Sequence, residues 1–329
     1  MKVAILSDGI PGHENQSIGI LNLLEEEIPI KYDVIVLNQK FYPFRALIKI
    51  YKKLLSQNLS IRNAEKIKNL YQDLELENVD LLIATGGNTA HISASLGKIY
   101  NLMTIQNGKA GGVKSDNFTV HITLNKKNGF SNIQSFFPPN RIKPFENIVK
   151  KNNKALFLIG GNGSGYVYRI DDFISFVKNI ENFSIKYNIS PIIATSRRTP
   201  KAFEDLIYSN LRDICDSSSV WFHKDNSNYN FNDLFKSADM IFVTEESSSM
   251  IAEAICTGLP VCTLFPEKYK KEKRHQNQLR KYIESSLIRR ISIKSRLKFN
   301  EISSEKNIKK ISMERLYLKN KILKRIINE

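Results

Sequence analysis

A run of hydroxyl side chains stands where an apolar strand-like segment gives way to a helical pattern. In "VTEESSSMIAEAICTG", residues 243–258, Ser247, Ser248 and Ser249 come directly before the helix begins. One serine is enough to cap a helix, so three suggest a second role. Helix N-termini bind phosphate, because their first N–H groups are free and the helix dipole places positive charge there. Glu253 follows Ser249 by four residues and therefore lies on the same helical face.

This stretch predicts a nucleotide site. The serines and nearby backbone would hold phosphate, and the Glu253 carboxylate would accept hydrogen bonds from a ribose diol. Thr244 and Glu245 border the same turn, and we include them among the predicted donor-binding residues. The simpler alternative is a set of capping serines followed by a solvated glutamate.

Two other turns in the same half of the chain carry suitable groups. In "TSRRTP", residues 195–200, the turn holds Ser196, Arg197 and Arg198 at a strand end, and the planar donor fork of arginine suits phosphate oxygens. In "IGGNGSG", residues 159–165, four glycines allow the backbone to approach a ligand closely. A solvated charge pair and a loop without a ligand are the respective alternatives. From the second turn we predict Gly160 and Gly161 as donor-binding residues.

The first strand-like segment of the chain is followed by "SDGIPGHENQS", residues 7–17. His13 and Glu14 stand near a helix start, and either could remove a proton from an attacking hydroxyl. The alternative is that Glu14 merely favours the helix start. The turns "ATGGNTAH" and "TIQNGKAGG" follow two later strand-like segments. From these three turns we predict an acceptor site of Asp8, Gly12, Asn15, Gln16, Gly87, Asn88 and Gln106.

The elements that must position these turns are short apolar runs alternating with amphipathic stretches. Continuous apolar runs are typical of parallel strands covered on both faces, and the alternation predicts an α/β fold with doubly wound sheets. The pattern stops near residues 138–153, which contain three prolines, and then restarts. The sequence therefore predicts two Rossmann-like domains facing a cleft, where turns after strands bind ligands. The predicted bounds are 1–140 for the acceptor domain, 154–266 for the nucleotide-sugar domain and 267–329 for a helical tail that packs back across the domains.

The charge of the chain is concentrated in that tail. The whole chain carries a net charge of +16, and residues 267–329 hold 20 Lys/Arg against 7 Glu, a net charge of +13. Helix-turn-helix, RNA-recognition and zinc-knuckle patterns are all missing, so we expect no nucleic-acid partner. A basic segment with apolar residues between its charges suits an anionic membrane surface. With neither a signal peptide nor an apolar run of spanning length, we expect a cytoplasmic protein, with peripheral attachment to the inner face of the membrane as an option.

A second segment also fits a membrane surface. In "FYPFRALIKIYKKLL", residues 41–55, helical spacing places Phe44, Leu47, Ile48, Tyr51 and Leu55 along one face with basic residues beside it. That pattern predicts an interfacial helix. A helix packed on the core with a solvated basic rim explains it equally well.

The sequence lacks the usual metal-binding patterns. It contains no His-x-x-x-His, no Asp-x-Asp after a strand and no cysteine pair with metal-ligand spacing. We therefore predict neither a metal nor another cofactor, with the nucleotide sugar serving as substrate. The two arginines and the helix N-terminus would then neutralise the diphosphate.

Three of these motifs, "SDGIPGHENQS", "TSRRTP" and "ADMIFVTEESSSMIAEAICTGLPV", resemble the mitochondrial-fission ELM-type family. Bacterial members of that family look like glycosyltransferases of the two-domain GT-B architecture. The resemblance implies a nucleotide-sugar donor on the C-terminal domain and an acceptor on the N-terminal one. The last motif is also similar to the donor-ribose glutamate helix of GT-B enzymes. The segment "VHITLNKKNGF" lacks the His-Asp pair expected of the family after this strand, and "IGGNGSGYVY" matches only approximately.

The combined prediction is a metal-independent GT-B glycosyltransferase. It would move a sugar from a nucleotide-activated donor to an acceptor hydroxyl, with a sugar or a lipid-linked molecule as acceptor, in cell-envelope polysaccharide or glycolipid synthesis. The alternatives are a nucleotide-sugar epimerase or hydrolase on the same fold, and a non-catalytic protein that associates with membranes.

Overall fold

The chain divides into two compact units. Unit 1 comprises Met1–Arg141 and Met313–Glu329, and unit 2 comprises Ile142–Ser312, so the predicted tail is shared between them. The structure is a computed structural model that describes residues 1–40, 44–72, 74, 76–145, 152–224, 231–270, 272–298 and 304–327. Part of the predicted linker and the first three residues of the predicted interfacial helix lie outside the described residues.

Unit 1 is built on a six-stranded parallel sheet of order β2-β1-β3-β4-β5-β6. A short 3₁₀ turn, Ser115–Asn117, precedes β5. The elements in chain order are β1 Lys2–Ser7, α1 Pro11–Leu24, β2 Lys31–Val36, α2 Arg45–Gln57, α3 Ile61–Lys68, β3 Leu81–Thr85, α4 Gly87–Tyr100, β4 Met103–Asn107, β5 Val120–Thr123 and β6 Asn132–Gln134.

Both faces of this sheet are covered, which explains the continuous apolar strands. Along β1, Val3 and Ile5 face one core cluster, while Ala4 and Leu6 face the other. The first cluster is completed by the last helix of the chain, α10 Ser304–Ile326, whose Ile322 is fully buried there. Strand β2 departs from the prediction of full burial, because it forms the sheet edge and most of its residues are exposed.

Helix α2 differs from its predicted arrangement. The predicted single apolar face is divided, since Ile48 is buried and Leu55 packs against the core of unit 1. Phe44, Leu47 and Tyr51 point outward together with two residues that we did not place on that face, Ile50 and Leu54. The helix therefore has one apolar face inside the unit and another at the surface.

Unit 2 contains a five-stranded parallel sheet of order β13-β11-β10-β7-β9 and a small antiparallel pair, β12-β8. Its core lies around stacked and edge-to-face aromatic rings, including Phe157 and Phe242 at a centroid distance of 4.8 Å. The elements before α10 are β7 Lys154–Ile159, β8 Tyr166–Val167, α5 Ile170–Tyr187, β9 Ser190–Thr195, α6 Lys201–Leu211, α7 Phe231–Ser237, β10 Met240–Thr244, α8 Ser248–Cys256, β11 Val261–Phe265, β12 Lys268–Tyr269, α9 Lys273–Glu284 and β13 Arg289–Ser292.

One predicted strand of unit 2 is wrong. The segment "VWFHK", residues 220–224, makes only an isolated parallel bridge from Val220 to Ala194 and then turns. Side-chain oxygens accept hydrogen bonds from the backbone N–H groups that would otherwise pair with a neighbouring strand. The N–H of Phe222 donates to Thr195 Oγ1 at 2.8 Å, and that of His223 donates to Glu204 Oε1 at 2.9 Å. Such side-chain bonds compete with sheet pairing.

None of the helices in the described part of the chain combines the length and the apolar composition that a membrane crossing would require.

Candidate functional site

The order of the strands marks one candidate ligand-binding edge in each unit. In unit 1, β1 lies between β2 and β3. In unit 2, β7 lies between β9, which is the next strand of that sheet along the chain, and β10. Ligands of open α/β sheets bind outside the carboxyl ends of strands at such switch points. These two edges carry the turns at residues 8–16, 86–88, 160–165 and 245–249.

A carboxylate–imidazole pair occupies the edge in unit 1. His13 Nδ1 lies 3.0 and 3.1 Å from the two carboxylate oxygens of Asp8. Asn88 Nδ2 donates to Asp8 Oδ2 at 2.9 Å, so the carboxylate is fixed from two sides. Because a carboxylate accepts hydrogen bonds, the contact favours the tautomer with its proton on Nδ1 and leaves the Nε2 lone pair available.

Gly86 makes room for that imidazole. A Cβ at Gly86 would lie 2.5 Å from His13 Cε1, and the backbone φ of +90° there also favours glycine. The side chain of His13 remains about one-third exposed, whereas that of Asp8 is nearly buried. The pair therefore combines an oriented ring with access from solvent.

The other predicted base is differently placed. Glu14 Oε2 accepts a hydrogen bond from Ser7 Oγ at 3.3 Å, at the end of β1. The described residues give His13 a carboxylate partner and give Glu14 a hydroxyl. Of the two predicted bases, His13 is therefore the one whose ring a carboxylate orients, and its role as a base stays a prediction.

The remaining predicted acceptor residues of unit 1 contribute mainly to the shape of the turns. The amide of Gln106 is fully buried and donates to the carbonyl oxygens of Gly86, Asn107 and Lys109. Gln16 Oε1 accepts from Asn107 Nδ2 at 2.8 Å. Gln106 therefore positions the Gly86 turn from inside the unit. Gly12, Asn15 and Gly87 are half-buried beside the same strand ends.

At the edge in unit 2, Gly160 and Gly161 allow three strand ends to meet. A Cβ on Gly160 would lie 1.7 Å from Glu246 Oε1, and one on Gly161 would lie 1.9 Å from the backbone oxygen of Arg198. The N–H of Gly160 donates to Thr244 Oγ1 at 2.8 Å, and the N–H of Gly161 donates to Glu246 Oε1 at 3.3 Å. No other residue type fits either position without moving its neighbours.

The arginine turn is fixed by hydroxyl groups. Thr199 Oγ1 donates to the carbonyl of Ile159 at 2.7 Å and accepts from the N–H of Ser196 at 2.9 Å. The backbone N–H of Arg198 donates to Ser196 Oγ at 3.3 Å. Arg197 and Arg198 are exposed, and Arg198 Nη1 lies 3.7 Å from the position of a Cβ on Gly163. Arg198 is thus brought beside the glycine-rich turn.

Glu246 is a site residue that we did not predict. It lies beneath the glycine-rich turn, fully buried, and its Oε2 has no hydrogen-bond partner among the residues that the structure describes. Burial raises its pKa to about 7, against lowering effects from Thr244, Gly161 and the charge of Arg198. The sequence shows two adjacent glutamates after a buried strand, but not which of them faces the turn.

The other glutamate, Glu245, belongs to the framework of unit 2. Its fully buried carboxylate accepts from Arg290 Nε at 2.7 and 2.9 Å, from Thr263 Oγ1 at 2.7 Å and from Tyr166 Oη at 3.0 Å. The Arg290 guanidinium stacks over the Phe265 ring at 4.2 Å. Both carboxylate oxygens are therefore engaged inside the unit, and the predicted contact of Glu245 with a donor stays a prediction.

The three serines differ in their hydrogen-bond partners. Ser247 caps α8 and accepts from the N–H of Met250 at 3.5 Å, as the simpler interpretation required. Ser249 Oγ lies 3.2 Å from Ser247 Oγ. Ser248 Oγ lies 2.8 Å from His275 Nδ1, while His275 Nε2 lies 2.7 Å from the carbonyl of Glu245.

The protonation of His275 fixes the direction of the Ser248 bond. Burial lowers the pKa of His275, so its ring is neutral near pH 7. Since a carbonyl accepts only, Nε2 carries the ring proton and Ser248 donates to Nδ1. Ser248 is exposed and Ser249 is half-buried at the N-terminus of α8. Glu253 lies one turn further along α8, half-buried. Their roles toward a nucleotide stay predictions.

Within the described ranges, no group of three or more His, Cys, Asp or Glu side chains is arranged to hold a metal ion.

Comparison with known families gives one match. A family model described as "Mitochondrial fission ELM1" matches residues 139–327, which is more than half of the chain. No curated protein matches the sequence.

Several solved structures share the fold over nearly the whole chain. The glycosyltransferase SnogD from Streptomyces nogalater has a TM-score of 0.52 at 9% identity and covers 98% of this chain and 96% of its own. A putative UDP-N-acetylglucosamine 2-epimerase from Listeria monocytogenes has a TM-score of 0.51 at 11% identity, covering 99% and 90%. The UDP-GlcNAc 2-epimerase from Methanocaldococcus jannaschii has a TM-score of 0.51 at 12% identity, covering 95% and 92%. At such identities the likeness concerns the fold, and it confirms the predicted GT-B class with two Rossmann-like domains.

The buried Glu246 generates a stability prediction. Its pKa of about 7 in the folded protein exceeds the ordinary 4.5. Between these values the unfolded chain releases the proton and the folded chain keeps it, so stability falls as pH rises from 4.5 to 7 and then levels off. The shift corresponds to about 3 kcal/mol of unfolding free energy. Glu246→Gln should remove this loss, so its stability relative to the wild type should be greater at about pH 8 than at about pH 5 in urea unfolding.

The exposed Glu284 serves as the matched control, because Glu284→Gln should leave the wild-type pH profile of unfolding unchanged. A Glu246→Gln profile that runs parallel to the wild type across this pH range would contradict the assignment.

Proposed function

The chain belongs to the mitochondrial fission ELM1 family, and from that premise we propose that it is a metal-independent glycosyltransferase that uses a nucleotide-sugar donor. The observation that carries the proposal is the meeting of three turns at the switch point of unit 2. The glycine-rich turn, the arginine turn and the serine-capped start of α8 lie at the ends of β7, β9 and β10. This combination supplies backbone N–H groups, guanidinium groups and a helix dipole on one edge.

In this proposal unit 2 holds the donor. Arg198, with Arg197, pairs with the diphosphate, and the N-terminus of α8 with Ser248 and Ser249 adds further donors. Glu253 accepts hydrogen bonds from the ribose. Fixed donors of this kind stabilise the negative charge that develops on a leaving phosphate, which is usually the largest catalytic contribution.

Unit 1 holds the acceptor and the base. His13 Nε2 takes the proton of the acceptor hydroxyl while that oxygen forms a bond to the anomeric carbon. The bond from the anomeric carbon to the diphosphate breaks, and its electrons leave with the phosphate oxygen. Asp8 orients the ring through Nδ1 and stabilises the imidazolium, as a buried carboxylate does in a hydrolase triad.

A membrane-facing role for unit 1 is supported by the outer face of α2. Phe44, Leu47, Ile50, Tyr51 and Leu54 are each between 41% and 65% exposed, which is unusual for five large apolar residues on one helix. The exposed lysines at positions 49 and 53 stand beside this face. An apolar stripe with a basic flank suits an anionic bilayer and a lipid-linked acceptor.

The donor assignment predicts a selective pattern of affinity losses. A thermal-shift screen of nucleotides first identifies the base, because a bound ligand raises the melting temperature. Arg198→Ala should then lower the affinity for the nucleoside diphosphate by roughly 10- to 100-fold, because charge-assisted hydrogen bonds are lost, and should leave the affinity for the parent nucleoside unchanged. Glu253→Ala should lower the affinity for both ligands alike, because both contain the ribose.

Arg212 is an exposed arginine on the C-terminal end of α6, and Arg212→Ala should change neither affinity. Equal losses for Arg198→Ala and Arg212→Ala would exclude a diphosphate site at the arginine turn. Conversion of the donor to an isomer without any acceptor would favour the epimerase alternative instead.

The base assignment predicts a kinetic difference between two neighbouring residues. His13→Ala should lower kcat by roughly 10²- to 10⁴-fold, the usual contribution of a general base, with the donor KM unchanged. Glu14→Gln should have a smaller effect, since the Glu14 carboxylate is turned toward Ser7. Sugar transfer measured with each variant checks this, and a larger loss for Glu14→Gln would reverse the assignment.

The membrane proposal predicts flotation with liposomes. The wild type should float with vesicles of anionic lipid and less with neutral vesicles or at high salt. Leu47→Ser combined with Leu54→Ser should abolish flotation, because the two substitutions remove apolar side chains that would enter the bilayer. Both side chains are exposed, so the fold does not need them. Ile185→Ser, at an exposed apolar residue of unit 2, is the control that should still float. Unchanged flotation of the Leu47/Leu54 variant would refute the proposal.

A further inference from the structure

Unit 1 contains an open pocket beside α2 that the proposed function does not yet use. Its volume is about 910 Å³, and ligand pockets are commonly of about 300–1,000 Å³. The pocket has room for one or two sugar rings. The residues of its wall that matter here are Asp8, Gln39, Lys49, Lys52, Gln72 and Asn88.

Two ammonium groups belong to this wall. Lys49 and Lys52 are three residues apart on α2, so they lie on neighbouring parts of one helical face. Lys52 is buried, and its Nζ donates to Tyr71 Oη at 2.9 Å and to Gln39 Oε1 at 3.3 Å. Lys49 is exposed at the surface of the pocket. A neutral sugar would not require either charge.

The pocket also offers amide groups suited to hydroxyls. Gln72 and Asn88 are exposed in its wall. The Lys52 bond fixes the orientation of the Gln39 amide, because an ammonium can only donate to the oxygen. Gln39 Nε2 is then buried and has no hydrogen-bond partner within the described part of the chain. Because a buried donor without a partner is unfavourable, a ligand oxygen that reaches it after a small side-chain movement would be favoured.

The same wall includes the group that orients the proposed base. Asp8 lines the pocket, and its oxygens are engaged by His13 and Asn88. Both oxygens of the carboxylate are therefore engaged by hydrogen-bond donors, although its negative charge remains. A sugar anchored on the two lysines would present its hydroxyls beside the Asp8–His13 pair.

We propose that this pocket binds the acceptor through an anionic group, a phosphate or a carboxylate, held by Lys49 and Lys52 while the amides bind sugar hydroxyls. The inference rests on the proposed function, since it names the chemical class of the acceptor. The phosphate of a lipid-linked or phosphorylated sugar and the carboxylate of an acidic sugar share this chemistry.

The test uses the full chain and small probes. Glucose 6-phosphate, glucuronate, inorganic phosphate and glucose are titrated by calorimetry and followed by thermal shift. At least one of the two anionic sugars should bind, and more tightly than both inorganic phosphate and glucose. Glucose 6-phosphate alone would identify a phosphate, and glucuronate alone a carboxylate.

Lys49→Gln should lower the affinity for the anionic sugar by roughly tenfold, which is the loss expected for one charge-assisted contact. Lys53 is also exposed on α2 but points toward Gly112 instead of the pocket, so Lys53→Gln should leave the affinity unchanged. Lys52→Gln, at a buried position, is interpreted only if its melting temperature stays near that of the wild type.

Equal affinity for glucose, equal losses at Lys49 and Lys53, or no binding of any probe at millimolar concentration would overturn the inference. The nucleoside diphosphate found for unit 2 is titrated into the same samples. Nucleotide binding without probe binding removes only the acceptor pocket, whereas probe binding without nucleotide binding removes only the donor proposal.

Discussion

The site in unit 2 depends on the absence of side chains at two positions. Gly160 and Gly161 let the end of β7 approach Glu246 and the arginine turn so closely that a single Cβ would overlap either neighbour. Their N–H groups then bond to Thr244 and Glu246, which fixes the turn against β10. The position of Arg198 beside the turn follows from the same contact. The glycines are therefore a requirement of packing as well as of ligand approach.

Two adjacent glutamates after β10 have buried carboxyl groups that face opposite sides and have different partners. Glu245 turns to one side of β10 and forms a buried ion pair with Arg290, whose guanidinium is stacked on an aromatic ring. Glu246 turns to the other side and has only neutral partners and the nearby charge of Arg198, so burial raises its pKa. With a pKa of about 7, this carboxyl carries less negative charge beneath the glycine-rich turn than an ordinary glutamate would. Proximity to a diphosphate would favour the protonated form further.

Unit 1 repeats this geometry with different chemistry. The ends of β1 and β3 again flank the switch point, and a glycine, Gly86, again makes room for a functional side chain. Here the side chain is the His13 ring, which Asp8 holds in one tautomer. Helix α2 adds an apolar outer face and the lysines of the neighbouring pocket. In the proposed function, the same parallel-sheet plan would serve donor binding in unit 2 and proton removal in unit 1.

The class of fold and the location of the turns could be predicted from patterns along the chain. Continuous apolar runs such as "KVAILS" and "KALFLIGG" require cover on both faces, and glycines or serines at their ends mark the switch-point turns. Local patterns failed where distant side chains intervene. The segment 220–224 is apolar enough for a strand, but Thr195 and Glu204 take its N–H groups.

Contacts between distant parts of the chain distinguish residues that look alike in the sequence. His13 and Glu14 were equal candidates for the base, and Glu245 was predicted where Glu246 was not, because spacing does not show which way neighbouring side chains of a turn face. The direction of each side chain depends on a partner far away in the chain. Arg290 binds Glu245, and Asn88 binds Asp8, which in turn orients His13. Spacing along one segment cannot specify such contacts, since they depend on how strands distant in sequence are brought side by side.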